Sequence, residues 1–376
     1  FFFKQKTAYE IVDCDWSSDV CSSDLMPTIG NEQHMMSIRQ PISLKGLYLY
    51  LEDGMPIRTS GLFSSNALIE INTSNIQSIE IIKGPASALY GAEAIGGVVN
   101  VISSSIAEKP TAFISTQFNT TGYKKIEGAW TGPSKTGGWL INVGWTDQKN
   151  GITEYSDFYK KALSLKRSFG ADKKLKGYQN IQYINYFTQM TGSLDSIKFF
   201  QKNFSTQQTF TFRKIDALRF RQNLEYDWSK NSNLSLNLMF RNNTMDQNPA
   251  YAIASTLNPT KFKGQVNSNH FNAYVLDLQQ TWNINVWNSK IIVGGYWDIT
   301  NQNLIAHYID IFKNLKFKIL KIIRGPNLSK PDKISSEFKK KNRDTYVSWG
   351  YFLLKKRSEE HTSELQSQST ISYAVF

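Results

Sequence analysis

From residue 111 onward the chain alternates polar and apolar residues in runs of about ten, and this period of two constrains its fold more than any other feature. Leu218, Phe220, Leu224, Tyr226 and Trp228 fall on one face of such a run, with Arg219, Arg221, Asn223, Glu225 and Asp227 on the other. After Ser229-Lys230-Asn231-Ser232 the next run sets Leu234, Leu236, Leu238 and Phe240 against Ser235, Asn237, Met239 and Arg241. A second hairpin opposes Tyr274, Leu276, Leu278, Trp282 and Ile284 to Asp277, Gln279, Thr281 and Asn283, and continues through Ile291, Val293, Trp297 and Ile299. Trp139, Ile141, Val143 and Trp145 mark a further strand, and 178–187 a weaker one. Soluble strands usually run to about 5–6 residues, so these are long.

Alternation alone fits either a soluble sandwich, with its polar face in water, or a membrane barrel, with its apolar face in lipid and its polar face in the lumen. Two features favour the barrel. Trp145, Trp228 and Trp282 sit at strand ends, where an interfacial girdle places aromatics. Connections also alternate: 229–232 and 286–289 are short, whereas 188–213 and 245–271 are long. No apolar run reaches the 18 residues a transmembrane helix needs, so strands are the expected means of crossing. About nine strands are expected between 111 and 311.

Residues 41–105 have a different texture. The apolar run Tyr48–Leu51 ends at Glu52-Asp53-Gly54-Met55-Pro56, where Asp-Gly followed by Pro predicts a turn. The segment from Ile76 to Ile82 predicts a strand stopped by Lys83-Gly84-Pro85. Residues 86–90 predict one helical turn broken at Gly91, and Gly96-Gly97 leads into a third strand, Val98 to Ile102. This is a small α+β unit.

The two ends read differently again. Residues 1–25 resemble a peptide seen when a sequencing adapter is translated at a contig edge, and the run from Arg357 (RSEEHTSELQSQ) resembles its companion. Both are set aside from fold reasoning. They carry more acid than base: Lys4 and Lys6 against Glu10, Asp13, Asp15, Asp19 and Asp24, and Arg357 against Glu359, Glu360 and Glu364. The interior is therefore more basic than the whole-chain net charge of +12. Both cysteines, Cys14 and Cys21, lie in the first segment, so an interior disulfide, cysteine nucleophile or cysteine metal ligand is not expected. The natural N-terminus is expected to be missing, with Met26 not the start.

The runs LYLYLEDGMPI (47–57) and IQSIEIIKGPASALYGAEAIGGVVNVIS (76–103) together resemble the plug domain of TonB-dependent outer-membrane receptors. The resemblance extends over 31–102 and rests on several pieces in order: the strand ending in Asp53-Gly54, the Ile79-Glu80-Ile81 strand, Lys83-Gly84-Pro85, Ala88-Leu89-Tyr90-Gly91, and Gly96-Gly97 closing through Asn100. Upstream, Ile38-Arg39-Gln40-Pro41 resembles the family's Ile-Arg-Gly element, with Gln40 in place of Gly. The fold implied is a small α+β plug followed by antiparallel transmembrane β-barrel strands, about nine of them and so an incomplete barrel. The domains expected are an extraneous segment 1–25, a partial plug 26–106, a partial barrel 107–311, an uncertain basic segment 312–356, and a second extraneous segment 357–376. The Lys-rich 312–356 fits a frameshifted stretch or a basic loop equally.

The resemblance implies active uptake of a scarce ligand across the outer membrane of a Gram-negative bacterium. Candidate ligands are a siderophore, a cobalamin or a carbohydrate. The implied partners are outer-membrane lipid, that small-molecule or oligosaccharide ligand, and the TonB energy-transducing complex, whose contact box is expected upstream of residue 26; no cofactor is implied. In the family, basic plug residues pair with acidic lumen residues, and Arg39 and Lys83 stand at those positions. The plug motif and plug–barrel contacts expected are Arg39, Asp53, Gly54, Glu80, Lys83, Gly84, Pro85, Tyr90, Gly91, Gly96, Gly97 and Asn100. Phe204, Phe210, Tyr251 and Phe271 in the long loops are the expected ligand contacts.

Rival functions find less support. Lys and Arg are scattered through turns and 312–356, with no recognition helix or RNP-like run for nucleic acid. The glycines of 84–97 lack phosphate-cradle spacing, and His34, His270, His307 and His361 are isolated, so an enzyme is not expected. The alternative is a passive porin or adhesin-type barrel, but a porin has no globular N-terminal unit like 31–102.

Overall fold

The computed structural model describes residues 25–30, 33–36, 46–58, 66–91, 93–170, 173–191, 196–206, 211–248, 262–284, 289–310, 322–323, 343–348 and 352–356. Strands β1 (Leu25–Gly30) and β2 (Gln33–Met36) pair as a separate hairpin. The small unit is a four-stranded sheet of β3 (Tyr48–Glu52), β4 (Met55–Pro56), β5 (Ile76–Lys83) and β6 (Gly97–Ser103), in the order β4-β3-β6-β5. Strands β3 and β6 are parallel; the other pairs are antiparallel.

Strand β3 is buried along its whole length, which explains why it reads as a continuous apolar run rather than an alternating one. Its two faces feed two cores. Tyr48 and Tyr50 pack with Ile57, Ala67, Ile71, Val99 and Val101, while Leu49 and Leu51 pack with Ala86, Ala94 and Val98. The predicted turn at Asp53-Gly54 forms with both residues at positive φ, 48° and 79°, the geometry that Asp-Gly supplies in a two-residue hairpin. The predicted helical turn is α1 (Ser87–Tyr90), closed by Gly91 at φ 80°. Gly96 is needed for space, because a Cβ there would lie 2.6 Å from the buried Tyr48 ring.

Nine further strands form one antiparallel meander: β7 (Thr111–Phe118), β8 (Tyr123–Ser134), β9 (Gly137–Gln148), β10 (Phe158–Phe169), β11 (Leu175–Gln189), β12 (Phe212–Ser229), β13 (Ser232–Asn248), β14 (Phe262–Ile284) and β15 (Ser289–Asp310). The count matches the alternation, and 178–187 lies within β11. Among the described residues the sheet does not close on itself. Short strands β16 (Ile322–Ile323), β17 (Arg343–Ser348) and β18 (Phe352–Lys356), from the Lys-rich stretch, pair with β15. Among the described residues no helix is long and apolar enough to cross a membrane.

Register aligns the apolar alternates into a continuous outward band. Trp130 pairs with Ile141, Ile141 with Leu165, Leu165 with Ile181, Ile181 with Phe220, Phe220 with Phe240, Phe240 with Tyr274, and Tyr274 with Ile299. A one-residue slip at any pair would turn that strand's whole set inward. The band is solvent-facing: Trp228, Tyr274 and Ile299 are exposed, whereas the intervening Arg219, Arg221, Asp277 and Asp298 are buried. The sheet is thus inverted relative to a soluble one, with its polar face covered and its apolar face open.

The strand ends Ser134 and Gly137, Phe169 and Leu175, and Ser229 and Ser232 lie at one end of the meander, and Phe118 and Tyr123, Gln148 and Phe158, and Gln189 and Phe212 at the other. The expected long connections 188–213 and 245–271 are narrowed at their edges, because β11 runs to Gln189, β13 to Asn248, and β14 starts at Phe262. Phe271 lies inside β14, not in a loop: the long strand begins at Phe262 and carries this buried ring on its inner face.

Ile57 is fully buried against Tyr48 and Tyr50. Ile57→Ala is expected to cost the small unit about 2–5 kcal/mol. Tryptic cleavage after the adjacent, buried Arg58 should then quicken by at least about tenfold while the sheet's far-UV signal stays unchanged.

Candidate functional site: the seam between plug and sheet

The small unit rests on the inner face of the sheet through its β3–β4 turn and through two 3₁₀ turns, Ala67–Glu70 and Thr73–Asn75. The seam is mixed: Ile69 packs among Phe158, Ala162, Ile184, Tyr186, Ile215, Ala217 and Met245 of the sheet and Met55 against Met239 and Val275, and around these apolar contacts lie many polar ones. The β3–β4 turn carries two carboxylates to three cations. Arg219 Nη2 lies 3.2 Å from Glu52 Oε2, and Gln182 Nε2 donates to Glu52 Oε1. Arg221 Nη1 donates to the Asp53 carbonyl at 3.0 Å and to the Glu52 carbonyl at 3.4 Å, and stands 4.0 Å from the Asp53 carboxylate. Arg221 is held from behind by Nη2 donating to Asn237 Oδ1 at 2.8 Å. Asp53 accepts from the Ser103 N–H at 2.8 Å and from its hydroxyl at 2.7 Å, and Lys166 Nζ donates to that hydroxyl at 3.0 Å. The Lys166 and Arg221 cations both face the Tyr178 ring, 4.7 and 5.3 Å from its centroid.

The 3₁₀ turns make a second cluster. Inside the small unit Arg58 Nε pairs with Glu70 Oε1 at 2.6 Å, and from the sheet Asn243 Nδ2 donates to Glu70 Oε2 at 2.7 Å. Arg219 Nη2 donates to the Glu70 carbonyl at 2.6 Å. Asn72 caps the second turn through Oδ1, which accepts from Ser74 N at 3.3 Å, while its Nδ2 reaches the sheet at Ser164 Oγ, 3.0 Å, and at the Asn142 carbonyl, 3.3 Å. Asn142 Nδ2 answers by donating to Asn75 Oδ1 at 2.7 Å, and Thr73 Oγ1 donates to Glu127 Oε1 at 2.8 Å. A third anchor is Arg241, which donates to the Pro56 carbonyl at 3.0 Å and pairs with Asp298 on the sheet.

Arg219 and Arg241 are direct cross-strand partners and both are buried. Like charges so placed repel. They are held because Glu52 and the Glu70 carbonyl compensate one, and Asp298 the other. Burial pushes the Glu52 carboxyl above its ordinary range, and Arg219 pulls it back.

The lock is made by residues other than Arg39 and Lys83, the expected partners of acidic lumen residues. In the ion pairs described across the seam, the small unit supplies the acids, Glu52 and Asp53, and the sheet supplies the bases. Lys83 ends β5, and Arg39 lies outside the described residues. Of the expected motif residues, Asp53 is at the seam. Gly54, Glu80 and Asn100 form a chain beside it: Gly54 N–H donates to Asn100 Oδ1 at 2.9 Å, and Asn100 Nδ2 to Glu80 Oε2 at 3.0 Å. Gly84, at φ 101°, donates its N–H to the Gly96 carbonyl at 3.1 Å, and Pro85, Tyr90, Gly91 and Gly97 shape the same loop and strand start. Phe204 packs edge-on to Phe199 at 6.4 Å in the loop after β11; Phe210 and Tyr251 lie outside the described residues. Arg219, Arg221, Arg241, Glu70 and Asn72 were not singled out from sequence as contacts. Three arginines on alternate inward positions were the available signal, since that face needs acid opposite. Among the described residues no three His, Cys, Asp or Glu side chains are grouped to hold a metal.

Removing one partner of a buried pair strands the other. Glu52→Ala is expected to weaken plug docking by about 3–5 kcal/mol, while the double change Glu52→Ala with Arg219→Met costs clearly less than the sum. Urea titration of the four-variant cycle checks this; additive losses would refute coupling across the seam.

A family model described as the TonB-dependent Receptor Plug Domain matches residues 26–98. Among solved structures, the ferric citrate transporter FecA in its unliganded form is similar at TM-score 0.63 and 12% identity, over 79% of this chain and 46% of that one. The ferric yersiniabactin uptake receptor FyuA from Yersinia pestis is similar at TM-score 0.61 and 14% identity, over 76% and 45%. The pyoverdine outer-membrane receptor FpvA from Pseudomonas aeruginosa PAO1, bound to pyoverdine, is similar at TM-score 0.61 and 11% identity, over 83% and 48%. The chain spans about half the length of the structures it matches. Its small unit is a TonB-dependent receptor plug domain, and the nine strands that hold it have the fold of part of such a receptor's barrel.

Proposed function

We propose that the chain is part of an outer-membrane receptor that takes up a scarce ligand with energy from a TonB complex. The observation that carries this reading is the inverted sheet: an open apolar band outside, and inside it a plug held by ion pairs and hydrogen bonds. The inner wall supplies buried arginines and amides for these pairs, with smaller apolar contacts at Ile69 and Met55 beside them. The docked plug speaks against a passive pore. On this reading the segments are a plug at 26–106 and barrel wall at 107–311, and the chain is a truncated portion of the whole receptor.

For the ligand class, the named relatives favour an iron–chelate over a cobalamin or carbohydrate, since ferric citrate, ferric yersiniabactin and pyoverdine are what those proteins carry or bind by name. We assign Phe204, with Phe210 and Tyr251, to ligand contact. Asp53 belongs to the plug–wall lock, and Gly54, Glu80, Lys83, Gly84, Pro85, Tyr90, Gly91, Gly96, Gly97 and Asn100 to the turns that keep the plug's shape. Arg39 is assigned to the same lock from upstream.

Two measurements test this. Leu218 faces outward in the band, so Leu218→Arg is expected to disfavour folding into lipid vesicles by about 2–4 kcal/mol if it lies near the bilayer centre. Folding of the unmodified chain as a detergent-free soluble particle would overturn the membrane reading. In a fluorescence titration with a panel of ferric chelates, Phe204→Ala is expected to weaken binding by at least about tenfold, as loss of an aromatic contact does. A panel in which no chelate binds the unmodified chain, while a corrinoid or oligosaccharide does, would overturn the ligand class alone.

A further inference from the structure

Between the β3–β4 turn and the sheet lies a cavity of about 20 Å³, lined by Glu52, Asp53, Pro56, Asn180, Gln182 and Arg221 among others. Two atoms of its lining are buried without a hydrogen-bond partner: Arg221 Nε, a donor, and Asn180 Oδ1, an acceptor. Their residues are 8% and 6% exposed. They are also direct cross-strand partners, so both side chains stand side by side on the inner face and line the same space. Other orphaned atoms among the described residues, such as Arg241 Nε and Asn269 Nδ2, are not in the lining of this cavity.

The chemistry selects the occupant. An anion would accept from Arg221 Nε but give nothing to Asn180 Oδ1, and it would sit beside Glu52 and Asp53. A cation would satisfy Asn180 and face the Arg221 and Arg219 guanidiniums. A species that both accepts and donates satisfies both atoms, and the volume admits about one water molecule. We propose that this cavity is a structural water site in which one water accepts from Arg221 Nε and donates to Asn180 Oδ1.

The water would complete the grip on Arg221. That side chain spends Nη1 on the plug carbonyls and one N–H of Nη2 on Asn237, so Nε is the guanidinium nitrogen left without a partner. With Nε satisfied, the guanidinium is fixed in its plane and its reach to the plug is set. Asn180, which touches no plug residue in any contact described, becomes a positioning residue for the lock. The proposal stands on the seam alone and does not depend on what the chain transports.

The test is made on the full chain folded in detergent micelles. In ¹⁵N-edited spectra, Arg221 Nε–H is expected to show a cross-peak to a long-lived water. Oxygen-17 relaxation dispersion is expected to count one fewer long-lived water in Asn180→Leu than in the unmodified chain, whereas Asn180→Asp, which keeps an acceptor at the same place, retains it. Absence of the water cross-peak at Arg221 Nε–H overturns the proposal without any variant, so a misfolded Asn180→Leu does not shelter it. Equal water counts in the unmodified chain and a folded Asn180→Leu also overturn it.

Discussion

Burying arginine on the inner face of a sheet is the constraint around which this structure is organised. Arg219, Arg221 and Arg241 are all nine-tenths or more removed from solvent. A buried guanidinium without a partner costs several kcal/mol, so each needs acid or carbonyl oxygen brought to it. The plug brings most of that: the Glu52 carboxylate, the carbonyls of Glu52, Asp53, Pro56 and Glu70, and the Asp53 carboxylate at longer range. The wall's inner face is therefore a template for one particular turn of the plug.

The same constraint explains why the plug is built as it is. The Asp53-Gly54 hairpin delivers Glu52 and Asp53 at the end of a strand buried on both faces, so the acids are fixed to a rigid element. Ser103, at the end of the parallel neighbour β6, clamps the Asp53 carboxylate with two hydrogen bonds. The 3₁₀ turns do for Glu70 and Asn72 what the hairpin does for Glu52. Apolar packing gives the plug its shape, through the two cores either side of β3, and polar contacts together with the buried Ile69 and Met55 give it its seat.

Much of this was legible from sequence because period two is a direct image of a sheet with one apolar side. The faces of β12, β13, β14 and β15 are those the alternation assigns, and Leu218, Tyr274 and Trp297 point as expected. The plug turns were legible because Asp-Gly, Gly-Pro and Gly-Gly act through local backbone geometry. The seam was not. Which carboxylate meets which arginine depends on docking one unit against another, and no local rule encodes it; hence the Glu52–Arg219 pair was not among the contacts expected. Phe271 was misplaced for a related reason: Ser, Asn and Gly around it read as loop, whereas pairing with β13 and β15 carries β14 well past the apolar band.

One feature sets an order of events in time. The wall's strands pair with their immediate neighbours in the chain, so their contacts are closer in sequence than those that seat the plug. The contacts that seat the plug join residues far apart in sequence: Glu52 with Arg219, Pro56 with Arg241, Glu70 with Asn243. Closing such long loops is entropically dearer and slower than zipping a hairpin. By sequence separation alone, neighbouring wall strands are expected to pair before the plug's acids reach their arginines.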